Sequence, residues 1–107
     1  MKFRSGTVTT TSTNVSTVGT EVNSINIVNR HSAVIYVKFY TQTVATFQDT
    51  PVMVVAVPAT ASVLTIPAPG KPLLGGGTGL CVRVTTGATD SDNTAAATLP
   101  IIELDYR

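Results

Sequence analysis

Tryptophan is missing from this 107-residue sequence, cysteine and histidine each occur once, and only 12% of the residues are charged. The single Cys81 excludes an intrachain disulfide and a cysteine-based metal centre. With no Trp, it also excludes the Cys…Trp…Cys core of true immunoglobulin domains. Glu, Lys and Gln together number 7, so the straight-chain helix formers are scarce. Long apolar runs are lacking as well. The longest uncharged stretch, 50–70, carries four prolines, which a membrane-spanning helix would not tolerate. After Met1-Lys2-Phe3-Arg4 come Ser and Thr rather than an apolar segment, and no targeting leader is expected.

What is abundant is β-branched: 19 Thr, 15 Val and 6 Ile. Such side chains lose χ1 freedom in helices and pack well on pleated strands. The length allows one domain with a modest core. A net charge of +1 gives no electrostatic argument for nucleic acid or an anionic membrane as partner. The shortage of charge has two readings. Either the surface is meant to be covered by copies of the chain or by a partner, or it is polar without charge through Ser and Thr.

Along the chain, residues 1–21 form a Thr-rich segment with few large apolar side chains. This segment is expected to be an edge strand or an arm that orders against a neighbour. Residues 22–107 are expected to form the sandwich. Its strands are read at Val22–Asn29, Val34–Thr41, Val52–Val57, Ser62–Ile66, Leu80–Thr86 and Leu99–Tyr106. Alternation sends Ile25 and Ile27, then Ile35, Val37 and Phe39, then Leu80, Val82 and Val84 inward, and groups Ile102 with Leu104 and Tyr106 on one face. Val52–Val57 is apolar on both faces, which suits a central strand or one capped by a partner. The run Gly75-Gly76-Gly77-Thr78-Gly79 reads as a flexible connection. Ala95-Ala96-Ala97 is the only local helix signal and is too short to stand alone. Seven or eight short strands at spacings near ten residues predict an all-β antiparallel sandwich, jelly-roll or immunoglobulin-like.

No catalytic constellation can be assembled from these residues, so an enzyme is not expected, and no cofactor is implied. His31 sits in a polar turn beside Arg30. Cys81 has no histidine partner in view. The glycine run lacks the Gly-Lys-Ser/Thr that closes a phosphate loop. Asp90 and Asp92, with Asn93, alternate as at the start of a calcium loop, but the distal Glu is missing. A hydrogen-bonded turn is therefore the reading expected of them. Tyr36, Lys38 and Tyr40 fall on one strand face, where they could stack sugars or bases, meet a protein, or lie on a half-covered sheet. In the N-terminal segment, Phe3 is a candidate anchor, flanked by Lys2 and Arg4 as partners for acidic groups.

From Val22 to Tyr106 the chain resembles a family of small β-sandwich structural proteins of tailed bacteriophages. The resemblance is carried by Asn23-Ser24-Ile25-Asn26-Ile27-Val28-Asn29, Tyr36-Val37-Lys38-Phe39-Tyr40, Asp49-Thr50-Pro51-Val52-Met53 and Ala56-Val57-Pro58-Ala59. Thr89-Asp90-Ser91-Asp92-Asn93-Thr94 and Ile102-Glu103-Leu104-Asp105-Tyr106 complete it. The resemblance implies a virion structural protein, most often a capsid decoration (cement) protein on the outer capsid surface. Its partner would be the major capsid protein, and it would be made in the host cytoplasm. A fibre or tail component, or a carbohydrate-binding module serving host adhesion through Tyr36 and Tyr40, is the alternative. Self-association, as a homotrimer, is expected from the sparse charge and closed symmetry.

Overall fold

The computed structural model describes residues 1–65 and 71–107. The expected strand end at Ile66 and the stop at Pro67-Ala68-Pro69-Gly70 lie outside them. Among the described residues there are nine strands and no helix: β1 (Lys2–Ser5), β2 (Thr13–Ser16), β3 (Thr20–Val28), β4 (Ile35–Tyr40), β5 (Met53–Val57), β6 (Ser62–Thr65), β7 (Leu74–Gly76), β8 (Leu80–Thr85) and β9 (Ile101–Tyr106). They make two antiparallel sheets. One has the order β1-β9-β3-β6, with β7 on β3 as well; the other has the order β2-β8-β4-β5.

The order has a simple construction. Drawn as one long hairpin with its turn between β4 and β5, the chain pairs β4 with β5, β3 with β6 and β7, β2 with β8, and β1 with β9. Rolling that hairpin brings β9 onto β3 and β8 onto β4. This is the jelly roll rather than the immunoglobulin arrangement. Consecutive strands pair directly only at β4–β5 among the described residues, so most connections cross between sheets. The regular spacing leaves jelly-roll and immunoglobulin-like orders open, because strand spacing carries no information about which sheet the next strand joins.

The inward alternation places the core. Ile25 and Ile27 of β3, Ile35, Val37 and Phe39 of β4, Leu80, Val82 and Val84 of β8, and Ile102 and Leu104 of β9 pack as one cluster. Tyr106 is partly buried against it. Ala96 joins the cluster from an irregular segment, so the Ala95–Ala97 run supplies packing, not a helix.

Three local readings are resolved. Residues 1–21 take the edge-strand alternative and do not stand off the sandwich as an arm. They contribute the edge strands β1 and β2, and between them Val8 is fully buried in the core and the Thr9 carbonyl accepts from the Val84 N–H. The glycine run is built into the structure, because Gly75 and Gly76 pair with Glu21 and Thr20. At Gly77, φ is +67° and an added Cβ would sit 2.0 Å from the Thr41 carbonyl oxygen. Gly77 is there for close approach and Gly76, at φ +85°, for its backbone conformation, not for looseness. Finally, β5 is an edge strand rather than a central one, and its outward Val54 is 40% exposed. Pro51 and Pro58 flank it, which suits an edge.

Buried Asn29 joins two turns. Its amide nitrogen lies 3.0 Å from the Ala33 carbonyl, 3.1 Å from that of Val57 and 2.9 Å from that of Pro58, while its Oδ1 accepts from the His31 N–H.

Two outcomes follow from this packing. Gly77→Ala should lower stability by at least about 2 kcal/mol, since it combines a steric clash with a disfavoured φ; urea denaturation measures it. Deleting residues 1–12 should abolish the cooperative thermal transition, because it removes Val8 from the core. A normal melt of the truncated chain would contradict this placement.

Candidate functional site

The stripe of Tyr36, Lys38 and Tyr40 lies on the outer side of β4, as the alternation requires. It is nonetheless not an open surface. Lys38 and Tyr40 are fully buried and Tyr36 is half-buried; on neighbouring β8, Cys81, Arg83 and Thr85 are fully buried too. The register sets Tyr36 opposite Thr85, Lys38 opposite Arg83 and Tyr40 opposite Cys81. Segments 9–12 and 87–94 supply hydrogen-bonding partners to this face. Tyr40 and Cys81 also pack with Ala45 of the β4–β5 loop.

Arg83 is the centre of this second, polar layer. Its Nε donates to the Thr10 carbonyl (2.6 Å) and one terminal nitrogen to the Tyr40 hydroxyl (2.9 Å). The other terminal nitrogen reaches the Asp92 carbonyl (3.2 Å) and Asn93 Oδ1 (2.7 Å). Lys38 Nζ donates to the Thr89 carbonyl at 2.6 Å. Facing cations on adjacent strands repel. Burial, and then Arg83, hold the Lys38 ammonium below its ordinary pKa, while Asp92 and Asp90 act in the opposite direction.

Asp92 closes the 87–94 loop. Its Oδ2 accepts from the N–H groups of Gly87 (3.0 Å) and Thr94 (3.1 Å), and its Oδ1 from the Thr94 hydroxyl (3.2 Å). Partial desolvation alone would raise its pKa. The Thr94 and Gly87 N–H groups, the Thr94 hydroxyl and Lys38 outweigh that, and the carboxyl is held below its ordinary value. The alternation of Asp90 and Asp92 therefore serves an Asx-type turn, with Asp90 exposed. Among the described residues no three His, Cys, Asp or Glu side chains gather as a metal site.

The other candidates are dispersed. Phe3 packs against the chain's own core and so is not a free anchor. Lys2 and Arg4 are exposed on β1, where Arg4 lies 3.8 Å from Glu103 in an exposed ion pair. His31 Nδ1 accepts a long hydrogen bond from the Thr98 N–H, 3.4 Å. The Cys81 thiol is pushed up to about 11, chiefly by burial, and stays protonated at neutral pH.

An open apolar surface lies on the hairpin that contains β5. Four of its side chains are well exposed: Val44 (66%), Phe47 (43%), Val52 (54%) and Val54 (40%). The sequence marks Val52–Val57 as apolar on both faces but assigns nothing to Phe47, which lies between β4 and β5. The signal at Phe47 was its isolation: an aromatic in a polar loop has no strand period that would turn it inward. The loop is held by Asp49, whose Oδ2 accepts from the Thr46 N–H (2.8 Å) and from the Gln42 amide (3.3 Å).

The depressed Asp92 pKa has a definite sign. Its stabilising contribution is complete above the ordinary carboxylate value of 3.8 and is lost as pH falls through the lower, folded-state value. Asp92→Asn should therefore flatten the acid limb of a stability-against-pH profile measured by denaturant titration between pH 6 and pH 2. Identical acid limbs would remove Asp92 from this role.

A comparison of the chain with known proteins found no matching family model, no matching curated protein and no matching solved structure.

Proposed function

We propose that this is a virion structural protein, a capsid decoration (cement) protein that binds the outside of a shell of major capsid protein and stabilises it. The observation that carries the reading is the exposed apolar face at edge strand β5, Val54 within it and Val52 just before it, on a chain with few charges of which Lys38 and Arg83 are buried inside. A surface so low in charge with an open apolar edge is suited to being covered. The resemblance to phage structural proteins selects the kind of cover, and the jelly roll is an architecture that virion proteins use.

The action is binding alone. A protein that attaches only to the assembled shell stabilises it by mass action, since the shell's opening must break the added contacts. No catalytic group and no cofactor enters this reading. Copies of the chain are also proposed to associate as a homotrimer, a closed arrangement that matches threefold positions on an icosahedral shell. The reading places the protein on the outer capsid surface after synthesis in the host cytoplasm.

Purified protein added to shells lacking it should bind saturably at hundreds of copies per particle. Val54→Asp, at an exposed site, should weaken attachment at least tenfold, about 1.4 kcal/mol, while leaving the melt unchanged. Quantitative mass spectrometry of virions that finds only a handful of copies would overturn the reading in favour of a fibre or tail component. Sedimentation at 11.1 kDa alone would overturn the trimer.

A further inference from the structure

Beside the β4–β5 loop lies a groove of about 320 Å³, which the shell-binding reading does not use. One wall is the chain at Thr10, Thr11 and Ser12, the other is Val44 to Phe47, and Asn93 completes the lining. None of these side chains is ionisable. Four of the eight lining residues carry hydroxyls and one carries an amide, and these surround a single half-exposed aromatic ring. An aromatic face offers apolar contact to the C–H side of a sugar ring. Hydroxyls and an amide donate to and accept from ring hydroxyls in either direction. A charged ligand would find no counter-ion among the lining side chains.

The groove is also held in shape before any ligand arrives. The Arg83 guanidinium binds the Thr10 carbonyl and Asn93 Oδ1 together, which fixes two parts of the lining from behind. With Oδ1 engaged at 2.7 Å, the Asn93 amide nitrogen is left as a pair of donors. The Ala45 N–H donates to Ser12 Oγ at 3.2 Å and ties the facing walls. Asp49 braces the turn that carries Phe47. Such preorganisation reduces the ordering cost of binding, and the volume lies at the lower end for small-ligand sites.

We infer that this groove is a binding site for a neutral saccharide, with Phe47 as the stacking platform and Thr10, Thr11 and Asn93 as hydrogen-bonding groups. The inference stands on different residues from the shell-binding face. It also moves sugar recognition away from Tyr36 and Tyr40, one of which is buried.

The test uses the full chain on an array of immobilised neutral oligosaccharides (glucans, galactans, mannans and N-acetylhexosamine polymers) with anionic polysaccharides beside them. Saturable binding to at least one neutral series is expected. Titration against that series should show at least tenfold weakening in Phe47→Ala and at least threefold in Thr11→Val, with both variants keeping the wild-type melt and their attachment to shells. If Phe47→Ala melts abnormally, Thr11→Val decides alone. Silence on every neutral series, preference for the anionic polysaccharides, or binding that the well-folded variants retain would each overturn the assignment. None of these results bears on shell attachment, so the two readings fail separately.

Discussion

A guanidinium with no water around it must have its hydrogens taken up by protein, and that requirement at Arg83 organises one whole side of the molecule. Burying a charge without partners costs several kcal/mol. Arg83 projects from β8, a central strand, on the side away from the core. Its acceptors come from three places in the sequence: Thr10, Tyr40, and Asp92 with Asn93. Satisfying it therefore brings the chain between β1 and β2, strand β4 and the loop before β9 to one point. Lys38, directly across the ladder, adds the Thr89 carbonyl to the same layer. Strands β4 and β8 of the four-stranded sheet are thus covered twice, by apolar side chains within the sandwich and by hydrogen-bonded loops outside it.

The result exchanges the usual places of two kinds of side chain. Two of the seven basic residues are fully buried, while four large aliphatic or aromatic side chains of a single hairpin are exposed. Both halves of this exchange lower the polarity of the surface. Exposed Thr and Ser side chains add groups that hydrogen-bond without repelling a copy or a partner. Such a surface tolerates close packing of many identical chains, and the apolar edge at Val52 and Val54 gives association a direction.

The polar layer and the neighbouring groove are mechanically one unit. The same guanidinium that stabilises the loops sets the spacing of the groove walls through Thr10 and Asn93. Asp92 shapes the loop that presents Asn93, by accepting from Gly87 and Thr94. Charge in this protein is therefore used for positioning from within, while the surfaces offered outward are uncharged.

The sequence alone determined the class and the core. A β-branched composition and period-two alternation are local properties, and they identified the inward residues of β3, β4, β8 and β9 and the sandwich they build. Asp90 and Asp92 were legible as a turn or a calcium loop, since side chain-to-backbone bonding is also local. Three things waited for the tertiary structure. The jelly-roll order depends on which strands meet across long separations, and β1 with β9 or β2 with β8 leave no mark in either local segment. Glycines 75 to 77 looked loose because the Thr41 carbonyl that crowds Gly77 is distant in sequence. The exposure of Tyr40 and Lys38 was misjudged because alternation states which face of a sheet a side chain takes, not whether a loop from elsewhere then covers that face. Burial on the outer face is a property of the assembled layers, and there the distant partners of Arg83 made the decision.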